Sequence, residues 1–215
     1  MNNYSKSENG KNVCRHAPAR TSLALWMGGL LTVFLIASCD DSNDDEILNV
    51  WKTANEQALN DIARNPEYTE LKSPGNNGSL YYRILQKGDG KKPIYYTSRV
   101  RVYYKGWFVV TNQDLNITKG KVFDQKLFDD GEPATFAVSQ AGSTYDTYTG
   151  YYSPSFPIEG WTITLQYMVK GDKWEVWIPS QLAYGQNGSN QIPGNSVLTF
   201  EIEVTDVMGI DGDTE

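Results

Sequence analysis

Apolar positions along this chain follow two periods, and the change between them divides it. Ile47, Trp51, Ala54, Ala58 and Ile62 recur every three or four residues, as on one face of an α-helix. Asp44 and Asp45 are N-cap candidates and Asn65-Pro66 ends the pattern. The stripe predicts an amphipathic helix of about five turns that docks either on the main domain or on a second copy of the chain as a dimer arm. Ser73–Ser79 (SPGNNGS) is turn-rich and apolar-poor, which places a boundary there. From Leu80 onward the period falls to two. Leu80–Leu85 is aromatic and branched; Val100, Val102 and Tyr104, then Trp174, Val176 and Ile178, then Leu198, Phe200, Ile202 and Val204 each alternate with more polar neighbours. Each reads as a strand with one dry face and one wetter face. Between them Ile158, Trp161, Leu165 and Met168 predict one short helix. Several strands and one helper helix give an α+β fold, an antiparallel sheet curled around that helix with an amphipathic helix before it.

The first segment follows neither period. Residues 1–22 hold four basic side chains and one acid, Leu23–Ala37 is apolar except for Thr32, and Ser38-Cys39 follows. This has the proportions of a secretory signal, and at 15 residues the run is short of the ~20 that cross a bilayer as a helix. Ile36-Ala37-Ser38-Cys39 resembles a bacterial lipobox, which implies removal of residues 1–38 and acylation of Cys39. Asp40–Glu46 (DDSNDDE) then sets five acids in seven residues beside the anchor. It is similar to an export tag for surface lipoproteins, and it also reads as a solvated spacer. The expected organisation is a signal over 1–38, an acidic tether and amphipathic helix over 39–78, and a main domain over 79–210. The expected location is a bacterial membrane, facing the periplasm or the cell surface, with the outer membrane favoured.

Composition narrows the chemistry. His16, Cys14 and Cys39 all fall at or before residue 39, so a chain cut there has no histidine. That excludes Ser-His-Asp and Cys-His nucleophiles and a Cys/His zinc site. Removing Lys6, Lys11, Arg15, Arg20 and Glu8 leaves 15 Lys+Arg against 25 Asp+Glu, a net charge of −10. A nucleic-acid partner is excluded on that balance. Asp124, Asp129, Asp130 and Glu132 fit no calcium-loop spacing, and Gly185–Asn190 lacks the lysine of a phosphate loop. What remains is a set of aromatics near strand ends: Tyr104, Trp107, Phe123, Phe136, Trp161, Tyr184 and Phe200. From composition alone such a set reads as core.

Five ordered blocks alter that reading. Val102-Tyr103-Tyr104-Lys105-Gly106-Trp107, Val122-Phe123-Asp124, Ile158-Glu159-Gly160-Trp161, Ile178-Pro179 with Leu182–Gly185, and Ile192–Ile202 (IPGNSVLTFEI) resemble the FKBP-type peptidyl-prolyl cis-trans isomerases over about residues 79–207. The resemblance implies a pocket walled by Tyr104, Phe123, Ile158, Tyr184, Ile192 and Phe200 and floored by Trp161, with Asp124 at its rim in an orienting role. It also implies that the Ile158 N–H and the Tyr184 hydroxyl donate to a bound peptide. No cofactor or metal is implied; the partners are proline-containing polypeptides and, through Cys39, a membrane. The chain departs from the family pattern in four places. Ala134 stands where an aromatic is frequent, Val109–Lys121 is long, the loop after Tyr184 lacks a His-Pro pair, and Ser139–Phe156 inserts four tyrosines before Ile158. An insert of that length beside a pocket is usually functional. It motivates a second expectation, a noncatalytic chaperone or surface adaptor of the same fold.

Overall fold

The computed structural model describes residues 42–139 and 157–209 and the backbone of two short strands between them. The chain divides into Met1–Cys39 and Asp40–Glu215, and the described residues belong to the second unit. The signal segment, Cys39 and Asp40-Asp41 lie outside them, and no helix among the described residues is long and apolar enough to cross a membrane.

Helix α1 (Ser42–Ala63) opens the described chain, with Asp44 and Asp45 in its first turn, where carboxylates face the positive end of the helix dipole. Strands β1 (Thr69–Lys72), β2 (Ser79–Gln86), β3 (Arg99–Phe108), β4 (Val122–Lys126) and β5 (Ala134–Ala137) follow, then β6 (Tyr145–Asp146), β7 (Tyr151–Tyr152), α2 (Glu159–Leu165), β8 (Lys173–Ile178) and β9 (Leu198–Met208). The main sheet runs β1-β2-β8-β9-β3-β4 with β5 also on β3, and every pairing is antiparallel. β3 is its axis. One edge pairs with β9 from Arg99 to Phe108, and the other takes β5 at Arg99–Val102 and β4 at Tyr104–Trp107.

Alternation sorts the side chains as the sequence predicts. Trp174, Val176 and Ile178 are buried on β8 while Lys173, Glu175 and Trp177 are partly exposed. Leu198, Phe200, Ile202 and Val204 lie beside them on β9. Against this face α2 buries Trp161, Ile163 and Leu165, so the short helix and the sheet close one core.

α1 and β1 belong to the same compact unit as the sheet, and β1 is not predicted by the sequence pattern. Trp51 is fully buried and stacks edge-on to Phe108 at 6.0 Å, so the apolar stripe of α1 is used within the chain. The long Val109–Lys121 segment folds on itself through the Asn112–Ile117 bridge and drives Ile117 into the core. Within the 139–156 insert the backbone pairs Tyr145 with Tyr152 and Asp146 with Tyr151.

Candidate functional site

The site forms where β3, β4, β9 and α2 meet the loop after β8. Tyr104 comes from the inner face of β3. Its neighbour two residues on, Gly106, sits opposite Phe200 of β9 and Asp124 of β4. A Cβ at 106 would stand 2.7 Å from both Phe123 Cζ and Phe200 Cε1, so only glycine lets these rings approach the strand. β4 carries a bulge here. Trp107 pairs with Val122 and Gly106 with Asp124, leaving Phe123 as the extra residue. A regular strand would send Phe123 and Asp124 to opposite faces; a bulge re-aims side chains locally, and both line the hollow beside the cleft, with Asp124 also reaching the cleft itself.

Ile158 is the residue before α2, extended at φ −57° and ψ 156°. Its carbonyl accepts the Trp161 N–H at 2.9 Å, while its own N–H makes no hydrogen bond among the described residues. Trp161 is 3% exposed and lies edge-to-face with three rings: Tyr104 at 5.2 Å, Phe136 at 5.4 Å and Phe200 at 5.3 Å. Phe200 meets Phe123 at 5.5 Å. Such pairs each add ~0.5–1.5 kcal/mol beyond area burial, so the walls hold one another upright. The Trp161 indole N–H finds no acceptor among the described residues.

These side chains enclose a cleft of about 500 Å³ lined by Tyr104, Asp124, Phe136, Pro157, Ile158, Trp161, Tyr184 and Phe200. Phe123 and Ile192, expected as walls of the same pocket, instead line an adjoining hollow of about 190 Å³ that shares Asp124, Tyr184 and Phe200 with the cleft. Phe136 and Pro157 take their place. Phe136 was legible as an aromatic but not as a wall, because its position depends on β5 pairing Val100 with Phe136. Ala134, one register step away opposite Val102, leaves that wall to Phe136.

Electrostatics at the rim are set by one carboxylate and two phenols. Tyr104 donates its hydroxyl proton to Asp124 Oδ2 at 2.9 Å. Burial pushes the Tyr104 phenol well up, and the hydrogen bond to Asp124 and its charge push it further. Burial also raises Tyr184, with the Asp124 charge adding to it. The Tyr184 carbonyl accepts the Gly188 N–H at 3.1 Å, while its hydroxyl, on a side chain 38% exposed, stays protonated and has no partner among the described residues. With the Ile158 N–H, the cleft therefore offers two donors that no described residue engages, around an apolar floor. Nothing in it is a nucleophile with a base. The arrangement can grip an apolar ring with a flanking carbonyl on either side.

The loop between Gly185 and Val197 walls the adjoining hollow through Ser189–Ile192. Its tip is tied by the Ser189–Ile192 bridge and by Gln191 Nε2 donating to the Phe123 carbonyl at 2.6 Å.

Residues 90–205 match the family model of FKBP-type peptidyl-prolyl cis-trans isomerases, more than half of the chain. The FKBP-type isomerase FkpA of Aeromonas hydrophila is 34% identical over 143 residues, 66% of this chain and 42% of that protein. The FKBP-type 22 kDa isomerase of Escherichia coli is 35% identical over 130 residues, 60% of this chain and 50% of that protein. This chain thus spans about half the length of these curated relatives. Among solved structures, a peptidyl-prolyl isomerase from Pseudomonas syringae aligns with TM-score 0.53 and 29% identity, covering 74% of this chain and 94% of that one. FkpA from Escherichia coli aligns with TM-score 0.58 and 26% identity, covering 79% and 64%. An antiparallel sheet curved over a short helix, a cleft of interlocked aromatics and the match across residues 90–205 agree: the chain belongs to the FKBP-type peptidyl-prolyl cis-trans isomerase family.

Proposed function

We propose that this chain accelerates rotation about X-Pro bonds in exported polypeptides, without any proton transfer. Unaided, the bond crosses a barrier of ~18–20 kcal/mol in tens to hundreds of seconds. Twisting the amide removes its resonance and lowers the charge on the carbonyl oxygen, so an apolar site that strips water from that oxygen favours the twisted state over the planar one. Binding the twisted state more tightly is sufficient for catalysis, and each ~1.4 kcal/mol of preference gives roughly tenfold in rate. The proline ring lies on the Trp161 indole between Tyr104, Phe136 and Phe200. The Ile158 N–H and the Tyr184 hydroxyl hold flanking carbonyls. Asp124 fixes the Tyr104 ring through its hydrogen bond.

The observation that carries this reading is the pairing of that aromatic floor with two free donors at its edge. Proline-limited refolding of a protein substrate by residues 40–215, a single compact unit, tests it. Acceleration proportional to enzyme is expected. Tyr184→Phe, which deletes one donor, should lose roughly fivefold, the worth of one net hydrogen bond. Refolding at the uncatalysed rate, unaffected by Tyr184→Phe or Phe123→Ala, would sink the proposal.

The membrane placement belongs to the same reading. Acylated Cys39 and the acidic tether would hold the domain at a bacterial membrane outside the cytoplasm, where exported chains fold. One acyl chain binds only reversibly, and stable anchoring takes more than one. Metabolic labelling with a palmitate analogue tests this, with Cys39→Ala expected to abolish the label. A dimer through the Ile47–Ile62 helix has less to stand on, since Trp51 is buried within its own chain and exposed Leu48 and Val50 are the large apolar side chains α1 leaves outward. Sedimentation of residues 40–215 as a monomer would remove it.

A further inference from the structure

Helix α1 lies outside the residues matched by the family model, yet it is wired to the loop that walls the hollow beside the cleft. Its stripe of apolar residues omits Asn55, but Asn55 and Trp51 are both fully buried. A buried amide left unpaired costs ~1–3 kcal/mol; this one is engaged at both ends. Asn55 Nδ2 donates to the Trp51 carbonyl at 2.9 Å, and Asn55 Oδ1 accepts the Val197 N–H at 2.8 Å. The Trp51 indole N–H donates to Ser196 Oγ at 3.1 Å, and Ser196 in turn donates to the Pro193 carbonyl at 2.6 Å.

Both bonds end on the returning limb of the loop that follows Tyr184, presents Ile192 to the hollow beside the cleft and enters β9 at Leu198. The two limbs cannot slide past each other freely. Asn195 N–H bonds the Gly185 carbonyl at 2.8 Å, and a Cβ on Gly194 would stand 1.8 Å from the Gln186 carbonyl oxygen. A displacement of Ser196 or Val197 is thereby transmitted to Tyr184. A second connection is aromatic: Trp51 meets Phe108, Phe108 meets Phe123 at 5.1 Å, and Phe123 meets Phe200. Had α1 served only to cover apolar surface, a leucine at 55 would have sufficed. An amide whose donor and acceptor both find backbone partners fixes one geometry.

We infer that Asn55 and Trp51 are positioning residues, which hold the 185–196 loop in register beside the cleft, where its hollow shares Asp124, Tyr184 and Phe200 with the cleft, and so make α1 part of the substrate-binding unit. Resting on the isomerase reading for its effect on turnover, the inference is tested on the full-length chain purified in detergent, by amide hydrogen exchange and steady-state kinetics together. Asn55→Ala is expected to speed exchange across residues 185–197 about tenfold, the ~1.4 kcal/mol of one lost bond, with the β3 and β9 segments unchanged. KM for a proline peptide should rise several-fold with kcat within twofold. Trp51→Phe, which removes the indole N–H and the five-membered ring but leaves an aromatic ring against Phe108, should show the same loop-localised pattern and serves where Asn55→Ala does not fold. Ile62→Ala, which loosens α1 away from these bonds, should lower the melting temperature and leave loop exchange and KM alone. Loop exchange unmoved by both Asn55→Ala and Trp51→Phe, exchange raised equally in the sheet, or an Ile62→Ala profile matching that of Asn55→Ala would overturn the inference. A wild-type chain without isomerase activity would refute the functional reading, while the exchange pattern still decides the positioning role.

Discussion

Gly106→Ala puts the construction of the cleft to a quantitative test. The added methyl would stand 2.7 Å from Phe123 Cζ, 2.8 Å from Phe123 Cε2 and 2.7 Å from Phe200 Cε1. Ordinary carbon contacts are ~3.5–4.0 Å, so the two rings must retreat by roughly 1 Å. Neither has room. Phe200 is 5% exposed and wedged against Trp161, and Phe123 is pinned between Phe200 and Phe108. Overpacking of this kind costs ~1–3 kcal/mol, equivalent to a fall of about 2–12 °C in melting temperature for a domain of this size. The larger effect falls on turnover. A displacement of ~1 Å in a positioning group costs about 100-fold, and here it moves the wall opposite Tyr104. A protease-coupled assay on a cis-proline peptide, run beside a thermal melt, reads both. A melting temperature lowered as stated with kcat/KM within twofold of wild type would refute the argument that these rings shape the transition state.

Other expectations follow from the same geometry. Tyr104 and Tyr184 both have phenols raised above the ordinary tyrosine value, which is ~10, and no step moves a proton; kcat/KM should therefore be flat between about pH 6 and 9, and a bell-shaped profile would contradict the mechanism. Thr199 is fully buried between its cross-strand neighbours Trp107 and Trp177, with its hydroxyl unpaired among the described residues. Thr199→Val should raise the melting temperature by about 2–4 °C without altering turnover; a decrease would show that the hydroxyl has a partner. On the convex face, burial would raise the Glu175 carboxyl, but hydrogen bonds from Tyr68, Trp177 and Arg83 outweigh it and hold the group below its usual value. A carboxyl lowered by folding adds stability above its unfolded value, and that stability is lost as pH falls through the folded one. Glu175→Gln should thus cost about 1–3 kcal/mol at neutral pH, with the gap to wild type closing in urea melts at progressively lower pH.

How much of this was legible in the sequence depended on whether a position obeyed a period. Alternation located β3, β8 and β9 because each has one dry face, aromatic and branched content located β2, and the 3–4 spacing located α1 and α2. β1 was missed: Thr69–Lys72 buries only Leu71, and one residue sets no period. Asn55 was missed for a related reason. Polar residues are assigned to the wet face by pattern, and only the three-dimensional partner, the Val197 amide 142 positions away, reveals that it is inside. Ile117 was hidden in a stretch with no regular element, held by the turn that brings Asn112 against it. In the site, the ordered blocks identified Tyr104, Trp161, Tyr184 and Phe200, which the cleft brings together. They could not separate the cleft from the hollow lined by Phe123 and Ile192. The placement of Phe123 beside Asp124 rests on the β4 bulge, and that of Phe136 on the register of β5; neither leaves a mark on composition.

The most direct test is two-dimensional NMR exchange on an Xaa-Pro peptide mixed with residues 40–215. Uncatalysed, cis and trans forms interconvert over tens to hundreds of seconds, too slowly for exchange peaks within a mixing time of about a second. The account predicts cis–trans exchange peaks that grow in proportion to protein concentration, accompanied by shifts of the Trp161 indole, and their loss with Gly106→Ala. Peptide that perturbs Trp161 yet shows no exchange peaks would mean that the cleft binds proline without turning the bond, and the central claim would fail.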